Sequence, residues 1–214
     1  MANSERAARD GSSRRAEYAE ATRRAAIDAA RELFSEKGYF ATTVNEVAAR
    51  ARVSPATIYA VNGGKQGLMR ALVEDWSDAP VIDTMRATIA ESTHPVELVR
   101  YITAETAQMR RDFGDVMRVV VGAAPHDDAA AEGYRLATSR WREFERLVAR
   151  RLAELDGLRE GVDVEYAADI LWLYLGFAGL TTLVDDNGWS YPRAEEWLCS
   201  TVCDTLLDDR FRTA

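Results

Sequence analysis

The chain has 214 residues, 47% hydrophobic and 29% charged, with a formal net charge of −8. This is the balance of an ordinary soluble globular protein with room for one or two domains and a real core. Two cysteines, Cys199 and Cys203, exclude a disulfide framework, and no basic segment leads into an apolar run as an export signal does, so a reducing, cytoplasmic setting is expected.

Charge is unevenly spread. Residues 1–76 hold 12 Lys+Arg against 10 Asp+Glu, which leaves 15 against 25 for the rest. The slightly basic first third is therefore able to approach phosphate while the acidic remainder keeps the protein soluble.

Residues 1–16 lack apolar periodicity and read as a disordered arm. A helix is predicted from about Glu17 to Lys37, with Ile27, Ala30, Leu33 and Phe34 on one face and Gly38 just past its end. Thr43 and Glu46 form a capping box for a short helix ending near Ala51. Ser54 and Pro55 start a second short helix, stopped by Asn62-Gly63-Gly64. Helices are then expected from about Gly64 to Asp78 (ended by Pro80), over 81–91, from Val96 to Arg111, from Asp115 to Val121, from Ala129 to Leu155, from Val164 to Val184 and from Pro192 to Asp209. No strand alternation or repeat occurs, so the expected fold is all-α with about nine helices: a helix-turn-helix domain over 17–65 and a helical ligand-binding and dimerisation domain over 66–214.

Residues 43–65, preceded by a longer packing helix, have the pattern of a helix-turn-helix. On the second short helix Pro55, Ala56, Thr57 and Ala60 face outward and Ile58 and Val61 inward. Small side chains let backbone approach bases in a groove about 12 Å wide. Thr57 suits a base or phosphate, Ala56 a thymine methyl, and Tyr59 and Lys65 phosphates at either edge. A plain three-helix packing unit has the same pattern.

The segment "AAIDAARELFSEKGYFATTVNEVAARARVSPATIYAVNGGKQGL" resembles the N-terminal domain of the TetR family of transcriptional regulators, over about 45 residues without a gap. "VEYAADILWLYLGFAGLTTLVDDNGWSYPRAEEWLCSTVCDTL" is similar to the last two helices of many such regulators. The resemblance implies a homodimer that binds a palindromic double-stranded DNA operator, with a pocket for a small-molecule effector, apolar or aromatic, in the C-terminal domain. It makes Thr43, Tyr59 and Lys65 phosphate contacts, and Asn45, Ser54, Ala56 and Thr57 groove contacts. Two positions depart from the family pattern. Arg52 stands where the turn has glycine, and a phosphate contact is expected to offset part of the strain of positive φ there. Asn62 stands where an aromatic is usual, and it suits an Asn-Gly turn. Arg14, Arg15 and Arg23 extend the basic surface or belong to a solvated tail.

In the C-terminal part, "ADILWLYLGFAGLTTLV" is apolar nearly all round. It is near the minimum spanning length, but it holds Asp169 and is flanked by acidic residues, so burial is expected and no membrane partner. Gly176 and Gly179 are expected to admit a second helix closely. Leu171, Leu175, Ala178, Thr182, Trp197, Leu198, Val202 and Leu206 are the expected dimer interface, with packing inside one subunit as the alternative for each. Met85, Ile89, Tyr101, Met109, Phe113, Met117, Trp141 and Phe144 are candidate pocket residues, or plain core.

Cys199 and Cys203, four apart on a helix, are expected to behave as small hydrophobes. His94, His126 and the short "HDD" at 126–128 make no metal signature, and no G-x-S-x-G, P-loop or dinucleotide fingerprint occurs, so neither an enzyme nor a cofactor is expected. The sequence is read as a ligand-responsive TetR-type regulator, a repressor, with Pro80 transmitting motion from pocket to DNA. A helical ligand carrier or protein-interaction adaptor without specific DNA binding is the other reading, kept open by Arg52, Asn62 and the acidic charge.

Overall fold

The computed structural model describes residues 2–77 and 81–211, with side chains for 16–76 and 82–211. Pro80 and the side chains of Arg14 and Arg15 lie outside them. The described residues form α1 (Ala2–Lys37), α2 (Val44–Ala51), α3 (Pro55–Asn62), α4 (Gly64–Ser77), α5 (Val81–Glu91), α6 (Pro95–Ala123), α7 (Asp128–Glu154), α8 (Val164–Leu175), α9 (Phe177–Leu180), a π-helical turn (Thr181–Asp186), α10 (Tyr191–Leu206) and a 3-10 turn (Asp209–Phe211). Among them there is no strand, only one isolated bridge between Leu158 and Leu207. The fold is all-α.

Three elements differ from the sequence reading. The backbone of α1 is helical from Ala2, not from Glu17, because the expected arm is rich in Ala and Arg, which favour helix without any apolar stripe. α6 runs unbroken where two helices were expected. Gly114 sits inside it, and a Cβ there would lie 2.0 Å from Arg110 Nη1, so the glycine makes room for a side chain and does not end the helix. The expected single helix over 164–184 is broken at Gly176, whose ψ of −176° is extended.

The chain divides into two compact units, 1–76 with 115–134 and 77–114 with 135–214. This differs from a single cut after residue 65. α4 belongs with the first unit, where Leu68, Met69, Leu72, Val73 and Trp76 are buried, and α6 and α7 contribute residues to both.

The first unit is built on the predicted face of α1: Ile27, Ala30, Leu33 and Phe34 are buried, as are Val47 and Ala48 of α2 and Ile58 of α3. Phe34 meets Tyr39 edge to face at 5.2 Å. Arg31 grips Asp115 with two hydrogen bonds, at 2.7 and 2.8 Å. The Tyr39 hydroxyl donates to Asp127 at 3.1 Å, and burial, then the nearby Asp127 charge, push that phenol above its ordinary range.

In the second unit the core is drawn from all its helices, including Ile89, Leu98, Ile102, Val148, Leu152, Leu171, Leu198 and Leu206. Two charged residues are buried with them, Arg110 and Glu145. Arg110 donates to Thr181 at 3.1 Å and to Asp185, which ties α6 to the π-helical turn. The glycines expected to admit a neighbouring helix instead accommodate their own segment. A Cβ at Gly176 would lie 2.3 Å from the Trp172 carbonyl oxygen, and one at Gly179 would lie 2.0 Å from that of Tyr174. The interrupted segment Val164–Asp186 is long and apolar enough to cross a membrane by composition, with a mean hydropathy of 1.6. The core helix of a soluble protein passes the same test.

Candidate nucleic-acid interface and effector site

Both short helices are capped as the sequence requires. The Thr43 backbone N–H donates to Glu46 Oε2 at 2.9 Å, and the Glu46 N–H donates to the Thr43 hydroxyl at 3.2 Å. Lys37 also pairs with Glu46. The Lys37 hydrogen bond, then the bonds from Thr43, hold the Glu46 carboxyl down at about 2. Ser54 accepts from the Thr57 N–H at 3.1 Å, the two hydroxyls lie 2.8 Å apart, and Pro55 follows in the first turn of α3.

Arg52 adopts φ 59° and ψ 39°, the left-handed conformation that glycine adopts without strain. Its N–H and that of Val53 return to the carbonyls of Ala49 and Ala48, closing α2 tightly. The side chain is exposed and has no hydrogen bond or ion pair among the described residues, unlike Arg50, which is held by Glu32 and Glu36. Arg52→Gly should therefore leave the melting temperature equal or slightly higher. If the guanidinium meets a phosphate, the same change should weaken DNA binding and lower the salt slope of log K by about 1. A titration at two salt concentrations reads both, and an unchanged slope removes the phosphate role.

Asn62 remains helical as the last residue of α3, and the positive φ falls on Gly63 (72°) and Gly64 (74°). Its amide nitrogen and oxygen are buried without a partner. The Tyr59 ring folds over Gly64, where a Cβ would lie 2.8 Å from Cε1, yet the residue stays 61% exposed. Lys65 lies in the first turn of α4. It donates to the Phe40 carbonyl at 3.3 Å and sits 4.3 Å over the Tyr39 ring. Burial lowers its pKa, opposed by Asp127.

The first unit thus brings the expected DNA residues into a short stretch. Asn45, Ala56, Tyr59 and Ala60 are exposed and make no capping bonds, whereas Thr43 and Ser54 cap helices and the Thr57 hydroxyl lies against that of Ser54. Arg23, expected to extend the basic surface, faces Glu20 and Glu74 at 3.7 and 3.9 Å.

In the second unit, five of the eight expected interface residues, Leu171, Leu175, Leu198, Val202 and Leu206, are core of the unit itself. They are the inward-facing positions of two helices, Leu171 and Leu175 on α8 and Leu198, Val202 and Leu206 on α10. Ala178 and Thr182 are exposed, and Trp197 is 42% exposed. The exposed apolar face missed by the sequence holds Tyr166 and Leu173, two turns apart on α8, the latter 60% exposed. Tyr174 meets Trp197 at 6.2 Å, and Trp197 meets Trp189 at 5.9 Å.

Of the expected pocket residues, Met85, Ile89, Met109 and Phe144 are buried, and Tyr101, Phe113 and Trp141 half-buried, in the second unit; Met117 is buried in the first. A surface cleft of about 630 Å³ in the second unit is lined by none of them. Its walls include Arg100, Thr103, Glu195, Cys199, Cys203 and Phe211. The two free cysteines are half-buried there and not fully buried. The Cys203 thiol, helped by Arg100 and opposed by burial, lowers Cys199 to about 7. Among the described residues no three His, Cys, Asp or Glu side chains group as metal ligands. His94 instead packs against Phe211 and His126 against Phe40.

A capped short helix, a left-handed corner and a second short helix with small exposed side chains define the helix-turn-helix class of proteins. Residues 26–72 match the family model described as "Bacterial regulatory proteins, tetR family". The HTH-type transcriptional regulator YdeS of Bacillus subtilis (strain 168), itself uncharacterised, is 34% identical over 159 residues, which cover 72% of this chain and 75% of that protein. Among solved structures, the triclosan complex of SmeT, repressor of a Stenotrophomonas maltophilia multidrug efflux pump, superposes with a TM-score of 0.75 at 21% identity, over 90% of this chain and 95% of that one. NalD, a secondary repressor of an efflux pump in Pseudomonas aeruginosa, gives 0.72 at 21% identity over 90% and 99%. The chain belongs to the TetR family of transcriptional regulators.

Proposed function

We propose that this regulator binds a palindromic operator as a homodimer, represses transcription in the cytoplasm, and leaves DNA when a small molecule occupies the second unit. The observation that carries the DNA part is the outer face of α3. Pro55, Ala56 and Ala60 are exposed and small, which suits close approach to base edges, while Ile58 beneath them anchors the helix in the core. Tyr59 and Lys65 flank that face, and Asn45 stands exposed on α2. The effector part draws on the triclosan-bound SmeT fold. A ligand releases DNA by favouring a dimer geometry whose reading helices miss half-sites roughly 34–36 Å apart, and only if it binds that geometry better.

The test is sequencing of genomic DNA pulled down by the purified protein, followed by gel shifts of the recovered fragments at two salt concentrations. Specific binding survives competitor DNA and weakens steeply with salt. Recovery of no specific fragment would sink the regulator mechanism in favour of a carrier or adaptor.

For the homodimer, the exposed face of Tyr166, Leu173 and Trp197 is the surface that association would cover. Leu173→Glu should convert the protein to a monomer in light scattering without lowering its helicity. A dimer that persists moves the interface elsewhere.

A further inference from the structure

Glu145 is the one buried carboxylate among the described residues of the second unit. It is 3% exposed, and neither carboxyl oxygen makes a hydrogen bond of full geometry among the described residues; the Trp141 indole N–H is the one donor that approaches it. Two arginines lie near it on α7, but both are committed to carboxylates of α8: Arg142 bonds Asp169, and Arg146 bonds Glu165 at 3.0 Å. Asp169 adds its own repulsion. Burial therefore outweighs Arg142, the Trp141 N–H and Arg146 and pushes the Glu145 carboxyl up to about 9.

The same face of α7 carries more unmatched polarity. Thr138, Trp141 and Glu145 follow at helical spacing; the Thr138 hydroxyl is buried without a partner, and the Trp141 indole N–H is buried with only the Glu145 carboxyl within reach, short of full hydrogen-bond geometry. Trp141 is the aromatic group nearest in sequence on that face, and its ring lies 5.5 Å from that of Phe144, tilted by 31°. A buried acid with no cation of its own and only an indole N–H near it, beside an aromatic ring, supplies what an organic cation needs: a counter-charge and a π face. A purely apolar occupant leaves the carboxyl unmatched, and an anionic one is repelled by it.

We propose that the effector is an organic cation of the substituted-ammonium class, its positive centre held by Glu145 beside Trp141. This deepens the effector part of the proposed function and rests on it.

The test is titration calorimetry of the full chain near pH 7.5 with three probes: benzyltrimethylammonium, its neutral isostere neopentylbenzene, and phenylacetate. The cation should bind about tenfold or more tightly than either of the others. Repeating the titration in buffers of different ionisation enthalpy should show release of close to one proton, as the carboxyl ionises against the bound cation. In Glu145→Gln the preference and the proton release should both vanish, while the isostere's affinity stays within about twofold. Equal affinity of cation and isostere in the wild type overturns the assignment without needing the variant. So does a preference that survives Glu145→Gln, or binding of none of the three. No DNA enters the measurement, so operator binding without cation preference defeats this inference alone. Cation preference without operator binding defeats the regulator mechanism alone.

Discussion

Glu145→Gln is expected to raise the melting temperature by an amount that grows with pH. The carboxyl's pKa is about 9 in the folded protein against an ordinary value of 4.5. Between those values the unfolded chain has released a proton that the folded chain retains. The stability associated with this group is therefore intact below about pH 4.5 and declines by about 1.4 kcal/mol per unit as pH rises toward 9. Glutamine has no proton to lose. Near pH 5 the two proteins should melt within a few degrees of each other. Near pH 7.5 the gap should be on the order of 4 kcal/mol, or roughly 10 °C for a chain of this size. Scanning fluorimetry of both proteins across this range measures the gap directly. A gap that does not widen means that the folded protein carries Glu145 charged.

Gly67→Ala should be the most damaging single methyl in the first unit. A Cβ at Gly67 would sit 1.5 Å from the carbonyl oxygen of Asn62 and 2.6 Å from its carbonyl carbon. No rotamer change relieves a clash with backbone, so α3 and α4 must part. Gly63, which joins them, and Gly64, which opens α4, are already left-handed, and Gly64 is covered by the Tyr59 ring. Overpacking of this kind costs about 3 kcal/mol or more. DNA affinity should collapse, and the first unit should melt well below the second. A variant that melts as the wild type does would mean that the join is looser than its geometry indicates.

The helix-turn-helix was legible because its determinants are local. Gly38, the Thr43–Glu46 box, Ser54-Pro55 and the Gly63-Gly64 stop each act within four residues, and each stands where expected. The strain at Arg52 was legible for the same reason. What the sequence hid depends on partners far along the chain. Gly114 reads as a helix breaker until Arg110 is seen to need its space. The π-helical turn is held by side-chain bonds from Arg110, more than 70 residues away in sequence. Leu171 and Leu175 were misplaced because α8 is apolar on most sides, so periodicity leaves its phase open; on α10 the stripe Leu198, Val202, Leu206 marks a buried face without telling which surface covers it. Glu145 left one overlooked signal. It occupies a position of the stripe Trp141, Glu145, Val148, Leu152, where an acid has no place in an ordinary core.

The division of labour among the α2–α3 residues has a consequence for how this reader changes its target. Thr43 and Ser54 cap helices with the same hydroxyls that would touch DNA, so substituting them alters shape and recognition at once. Asn45, Ala56 and Ala60 carry no such duty. A new operator preference is therefore open to drift at those three positions without a toll on folding, and a library randomised there alone should yield stable proteins with different targets.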